Sequence, residues 1–216
     1  MAGIDFFDVD HTITRRSSGS RYVFLGIRRG LLPLRLLAIL PFYSLTYKLG
    51  IFKPREYPEG FPYLAGLTRA ALEAIARESF ESKLKGDVYG GAVSLIAERR
   101  GAGRRVALAT SSMDIIVEPL GRHLGVDDIL ATTLEFRDGI CTGKIVGLPM
   151  FRAEKMSRVM EFISRAGESP ADCGFYSDSI YDLPLLECIG HPVAVNPDFR
   201  LRRIAARRSW PIIDLD

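Results

Sequence analysis

Four short apolar runs punctuate this chain, at residues 4–9, 104–110, 173–177 and 192–195, and polar residues stop each one at once. Runs of that length predict strands buried on both faces. The segments between them follow another period. Residues 88–100 carry Val88, Ala92, Leu95 and Ile96; residues 114–124 carry Ile116, Val117, Leu120 and Leu124; residues 154–166 carry Met156, Val159, Met160 and Ile163. Spacings of three and four give each segment one buried helical face. Strands alternating with helices predict an α/β fold, a Rossmann-like parallel sheet covered by helices. Residues 211–215 offer a last strand. Residues 132–146 differ: Arg137-Asp138-Gly139 separates two short alternating runs, which predicts a β-hairpin.

The chain has 216 residues, 47% of them apolar and 25% charged. That excludes a disordered chain and suits a core domain with a small insert. Cys141, Cys173 and Cys188 show no C-x-x-C spacing. The pattern argues against a disulfide framework or a zinc cluster and fits a reducing compartment. The first residues lack a basic stretch leading into an apolar one, so a cytoplasmic location is expected rather than secretion.

Residues 15–85 break the alternation. They are helix-rich and punctuated by Pro33, Pro41, Pro54, Pro58 and Pro62. They predict a helical cap inserted into a core made of residues 1–14 and 86–216. Residues 11–55 contain no Asp or Glu and carry +9 of a net charge of +3, so the remainder carries −6. Such asymmetry points to an anionic partner. Residues 31–52 are long enough to span a bilayer, but Arg35, Lys48, Pro33 and Pro41 interrupt them. A charge at bilayer depth costs ~2.5–3.5 kcal/mol. Two readings stay open: packed helices of a cap, or an apolar surface with a basic fringe that meets anionic lipid. No nucleic-acid module is recognisable, and no nucleic-acid partner is expected. The arginines of residues 199–210 read as a solvated helix face.

Asp8-Val9-Asp10-His11-Thr12 stands where the first apolar run ends, near Asp8. Ligands of open α/β sheets bind at the carboxyl ends of strands, and two carboxylates there suit a hard cation such as Mg2+. Taken alone, loop or helix-capping aspartates fit equally well. Thr110-Ser111-Ser112 ends the second run; its hydroxyls and amides suit phosphate oxygens, or an ordinary N-cap. Asp178-Ser179-Ile180-Tyr181-Asp182-Leu183-Pro184 ends the third, with two acids four residues apart. Lys155 lies at a helix start, where a solvated lysine is the ordinary occupant.

Taken in this order, Asp-x-Asp-x-Thr, a strand-ending Thr, a Lys and Asp-Ser-x-x-Asp-Leu-Pro resemble the haloacid dehalogenase superfamily. The chain is most similar to its phosphoserine-phosphatase-like branch, which carries a helical cap after the first motif. Glu118-Pro119-Leu120, Gly143 and residues 191–198 add to the likeness. His11 stands where many members have Gly, Ser177 replaces the usual Gly before Asp178, and Thr110 replaces Ser.

The resemblance implies a phosphate monoesterase. Asp8 is then the nucleophile that becomes an aspartyl-phosphate. Asp10 is the acid–base group and lends its backbone carbonyl to Mg2+, beside the carboxylates of Asp8 and Asp178. Thr110, Ser111 and Lys155 hold the phosphoryl group, and Asp182 with Ser179 supports them from behind. In phosphoserine phosphatases of this branch a cap glutamate reads the substrate amine. The matching stretch here, Arg15-Arg16-Ser17-Ser18-Gly19-Ser20-Arg21, has no acid. Phosphoserine is therefore not the expected substrate, and Arg15, Ser17, Ser18 and Arg21 are the candidate substrate contacts. A phosphorylated small molecule is expected, with a lipid or lysophospholipid phosphate at a membrane surface as the alternative. A docking module with a vestigial phosphatase core is a further alternative, against which the intact residue set argues.

Overall fold

The computed structural model describes residues 3–38 and 60–216. Its first strand, β1 (Ile4–Phe7), is buried throughout, and its side chains divide by alternation. Ile4 and Phe6 enter a core cluster on one face of the sheet. Phe7 enters the cluster on the other. That division requires a covered sheet on both sides, because successive strand residues point to opposite faces.

The helices supply the covers. α3 (Gly90–Gly101) and α4 (Asp114–Leu124) bury Ala92, Ile96, Val117, Leu120 and Leu124 against the Phe7 face. α5 (Ala153–Arg165), the single turn α6 (Leu183–Leu186) and α7 (Phe199–Arg207) bury Val159, Ile163, Leu185, Leu201 and Ala205 against the Phe6 face. On α7 the arginines face outward, where Arg202 pairs with Asp214, and Arg208, just past the helix, pairs with Glu187.

The sheet also contains β2 (Arg105–Met113), β3 (Asp128–Thr132), β6 (Gly174–Ser177), β7 (His191–Val195) and β8 (Ile212–Ile213). The strand order is β3-β2-β1-β6-β7-β8, and every neighbouring pair is parallel. This is the doubly wound order, whose direction of winding reverses beside β1. The carboxyl ends of β1, β2 and β6 therefore open onto one crevice.

Two features depart from the sequence-based expectation. β2 does not stop at residue 110 but continues to Met113. Ala109 pairs with Leu130 and Met113 with Thr132, so four steps along β2 oppose two along β3. Residues 110–112 bulge from the ladder, and their polar side chains had concealed the continuation. The first strand is also not wholly apolar. Asp5 is fully buried, receives a bidentate contact from Arg104 at 2.7 and 2.6 Å, and accepts from Arg99 at 2.6 Å.

The described part of the insert is helical. α1 (Ser18–Arg28) starts on Ser17, whose hydroxyl accepts from the Ser20 amide, and α2 (Arg69–Ser79) starts on Thr68, which does the same for Ala71. These are N-cap contacts that satisfy amides left open by the helix. A π-helical turn, Phe80–Leu84, returns the chain to the core, where Phe80 and Leu84 are buried. Tyr22, Val23, Leu72 and Ile75 pack with Met113, Ile115 and Ile116 above the sheet.

The expected hairpin is present as β4 (Leu134–Arg137) and β5 (Ile140–Ile145). Its turn residues Asp138 and Gly139 both have positive φ, 50° and 77°, as the tight turn that matches strand twist demands. Leu134 and Cys141 pack with the helical insert. At Gly143, φ is 79° and a Cβ would lie 3.1 Å from Pro62 Cα. The Phe61 amide donates to the Gly143 carbonyl at 2.6 Å. Glycine there lets the insert and the hairpin join backbone to backbone.

Of the apolar tract at 31–52, residues 39–52 lie outside the described residues. In its described part Leu32 and Leu36 are buried. Among the described residues no helix is long and apolar enough to cross a membrane.

Candidate active site

Asp8 follows β1 directly, and its amide extends the ladder by donating to the Tyr176 carbonyl at 2.9 Å. Its carboxylate is thereby fixed at the mouth of the crevice, only 4% exposed. Lys155 reaches it from the first turn of α5. The Lys155 Nζ donates to Asp8 Oδ1 at 2.9 Å and to Asp182 Oδ2 at 2.9 Å. Burial alone would strip the lysine of its charge, but Asp182 and Asp8 hold its ammonium well above the ordinary lysine range. This is the opposite of the solvated surface lysine that a single helix start suggests.

Asp182 is braced in turn. The Ser177 hydroxyl donates to Asp182 Oδ2 at 2.7 Å and accepts from the Ser179 amide at 3.1 Å. Ser179 caps the following turn, its hydroxyl accepting from the Tyr181 amide. Asp178, at the end of β6, is held through Thr12. The Thr12 hydroxyl lies 3.2 Å from Asp178 Oδ1 and accepts from the Asp178 amide at 3.0 Å. The Asp178 carbonyl accepts from the Asp198 amide, and Asp198 accepts from the Ile180 amide, which locks the loop.

The electrostatics single out two carboxylates. Burial pushes Asp8 up to about 7, against the pull of Lys155. Burial, then the charge of Asp8, pushes Asp178 well above the usual range. Two buried acids, Asp178 pushed further by the charge of Asp8 and Asp8 by that of Asp182, with one lysine between Asp8 and Asp182, form a donor set short of positive charge. Hard oxygen donors in that state suit magnesium, which needs only one or two carboxylates besides water and phosphate.

Asp10 turns elsewhere. Its Oδ1 accepts from the Ser18 amide at 2.6 Å and its Oδ2 from the Ser112 hydroxyl at 2.6 Å. Thr110 is buried, and its hydroxyl accepts from the Ser112 amide at 3.2 Å. The Ser111 carbonyl accepts from Thr132 at 2.8 Å. The sequence-predicted core residues thus meet around one crevice.

The cap residues behave differently. Arg21 pairs with Asp87 at 2.7 Å, Arg15 stacks over the Tyr89 ring at 4.5 Å, and Ser17 caps α1. Of the four candidates, only Ser18 touches the Asp10 carboxylate. Sequence reasoning gave no individual role to Ser112, Ser177 or Thr12. Ser177 had been visible as a departure from the family's glycine, which is a signal that its hydroxyl has a partner.

Residues 6–187 match the family model for haloacid dehalogenase-like hydrolases. A phosphoserine phosphatase of Mycobacterium tuberculosis is 31% identical over 214 residues, covering 97% of this chain and 70% of the relative. A histidinol-phosphatase of Neisseria meningitidis is 29% identical and covers 99% of both chains. A solved structure from Bordetella pertussis, of a protein of unknown function, superposes with a TM-score of 0.87 at 31% identity over 99% of both chains. The chain belongs to the haloacid dehalogenase-like hydrolases. Within them it is a phosphatase, a phosphoric monoester hydrolase of the phosphoserine-phosphatase-like kind.

Proposed function

We propose that this phosphatase is magnesium-dependent and works through an aspartyl-phosphate on Asp8. The observation that carries the reading is the Asp182–Lys155–Asp8 chain at the end of the central strand, with Asp178 beside it. An Asp8 oxygen bonds to phosphorus while the bond to the leaving oxygen breaks, and Asp10 gives that oxygen a proton. Water then bonds to phosphorus, Asp10 takes a proton from it, and the Asp8 carboxylate is released. Splitting one displacement in two is the gain from a carboxylate nucleophile. The proton transfers are worth roughly 10²–10⁴-fold. Lys155, Thr110 and Ser111 hold the phosphoryl oxygens as charge redistributes.

Asp8, Asp178 and the Asp10 carbonyl are the groups to hold magnesium. Its charge would offset the repulsion between nucleophile and phosphate, roughly 4 kcal/mol for unit charges at ~4 Å and an effective dielectric near 20.

The substrate is a phosphate monoester other than phosphoserine. The stretch from Arg15 to Arg21 offers no acid for an ammonium group, Asp87, which the fold brings to it, is occupied by Arg21, and Asp10 is held by Ser18 and Ser112. A site without such a partner discriminates against the charged amine. The two relatives bear different substrates in their names at nearly equal identity, so neither transfers by likeness alone. A hydrolysis panel with and without magnesium tests this reading. It should span phosphoserine, histidinol phosphate, sugar phosphates, nucleotides and glycerol phosphates. Loss of turnover in folded Asp8→Asn is expected, and full activity of that variant overturns the assignment.

A second reading rests on Phe24, Leu31, Leu34 and Leu37, which are 49%, 39%, 73% and 41% exposed. Arg28 and Arg35 lie among them in sequence, while Arg29 is paired with Glu78. An apolar surface with a basic fringe suits peripheral contact with anionic lipid and a lipid-like phosphate ester. Salt-sensitive sedimentation with phosphatidylserine vesicles supports it; absence of binding at low salt removes it.

A further inference from the structure

We infer that Ser112 is a positioning residue for Asp10, fixing the orientation of the carboxyl group that serves the leaving group. The inference rests on the reading of Asp10 as the acid–base group.

The bulge in β2 is the first observation. Residues 110–112 leave the ladder between Ala109 and Met113, and bulges next to active sites re-aim side chains. Here the result is a Ser112 hydroxyl 2.6 Å from Asp10 Oδ2. The same hydroxyl lies 3.0 Å from Ser18 Oγ. The Ser18 amide donates to the other carboxyl oxygen, Oδ1, at 2.6 Å. Asp10 is thus gripped at both oxygens, by the bulged strand on one side and the first residue of α1 on the other.

The two grips differ in kind. Oδ1 is held by a backbone N–H, which only donates, and Oδ2 by a hydroxyl that also has Ser18 Oγ within reach. Together they fix the plane of the carboxyl group. As the bond from phosphorus to the leaving oxygen breaks, Asp10 gives that oxygen a proton, and in the second step it takes one from the attacking water.

A purely structural role fits poorly. The bulge backbone is held separately, through the Ser112 amide to Thr110 Oγ1 at 3.2 Å and the Ser111 carbonyl to Thr132. Deleting the Ser112 hydroxyl leaves both contacts in place.

The test compares Ser112→Ala, Ser112→Thr and Asp10→Asn with the unaltered enzyme at saturating magnesium. kcat/KM is measured for p-nitrophenyl phosphate, whose leaving group departs as a stable anion, and for glycerol phosphate, whose leaving alkoxide needs a proton. A hydrogen bond to a charged group supports an expected fall of about 10–100-fold for Ser112→Ala on glycerol phosphate. The fall on p-nitrophenyl phosphate is expected to be several times smaller. Ser112→Thr should restore most of the loss. Asp10→Asn should show the same leaving-group dependence more strongly. Equal losses on both esters in Ser112→Ala, or no loss, overturn the positioning role while Asp10→Asn still shows the dependence. No leaving-group dependence in Asp10→Asn overturns the acid–base reading itself, and the role of Ser112 with it.

Discussion

Lys155 Nζ lies 2.9 Å from Asp8 Oδ1, with the two side chains only 3% and 6% exposed. On the proposed mechanism a buried ammonium held this way has two tasks, neutralising the surroundings of Asp8 and donating to phosphate. Lys155→Met removes both. The loss of a preorganised donor to developing charge predicts a fall of about 10²–10³ in kcat/KM. Asp8 and Asp182 are also left without their cation. Breaking a buried pair from one side costs about 3–5 kcal/mol, reduced where the acids can take up protons instead. Urea midpoints should fall more at pH 8 than at pH 5.5, and equal midpoints for variant and parent would contradict the burial argument.

Removing magnesium should expose the strain between the acids as a pH dependence. Burial lifts Asp8 to about 7, and burial with the Asp8 charge lifts Asp178. The unfolded chain loses these protons near the ordinary carboxylate value of about 4. Between there and about 7 the folded state binds more protons than the unfolded one. Stability of the metal-free protein therefore falls as pH rises through that window. In chelator, Tm should drop between pH 5 and pH 8, and added magnesium should raise Tm more at pH 8 than at pH 5. Asp178→Asn should flatten the chelator profile. A metal-free Tm that climbs through this window would rule out the acid pair as its cause.

Asp5 illustrates a charge that serves the fold. It takes three short contacts from Arg99 and Arg104 inside the central strand. Gly174 on β6 leaves it room, since a Cβ there would sit 2.5 Å from Asp5 Oδ1. Asp5→Ala should cost about 3 kcal/mol, the lower end for breaking a buried pair because both arginines can reach water. Gly174→Ala should destabilise by forcing Asp5 off its partners. Combined, the two changes should cost less than their sum, since the clash needs the carboxylate. Additive costs in chemical denaturation would show that Gly174 meets something else.

How much of this was legible in sequence differs from element to element. Asp8, Asp10, Thr110, Asp178 and Asp182 stood out because each follows an apolar run, and a parallel sheet gathers strand ends. Lys155 carried no local signal; only the order of motifs set it apart from a surface lysine. Ser112 was hidden by the bulge, since a regular strand cannot predict which of three polar residues turns toward Asp10. Asp87, distant in sequence, comes to Arg21 only through the return of α2, so the emptiness of the cap's charge pattern was overstated. The hairpin was legible from its turn, but its packing against the insert depends on Gly143 meeting Phe61 and Pro62, a contact that no periodicity encodes.

The last departure from the family pattern gives a prediction of opposite sign. His11 has φ 66°, a left-handed conformation that costs a side-chain-bearing residue roughly 1–2 kcal/mol. Glycine adopts it freely but loses about 0.5–1 kcal/mol more chain entropy on folding. His11→Gly should therefore stabilise the protein slightly, by a few tenths to about 1 kcal/mol, the difference between those two terms. His11→Ala keeps the strain and should give no gain. Because His11 links Asp10 to Thr12, which holds Asp178, the freer glycine should also loosen the loop between the proposed acid–base group and a proposed magnesium ligand. The expected combination is a raised Tm with a reduced kcat. A lowered Tm for His11→Gly would mean that the imidazole contributes contacts worth more than the backbone strain it imposes.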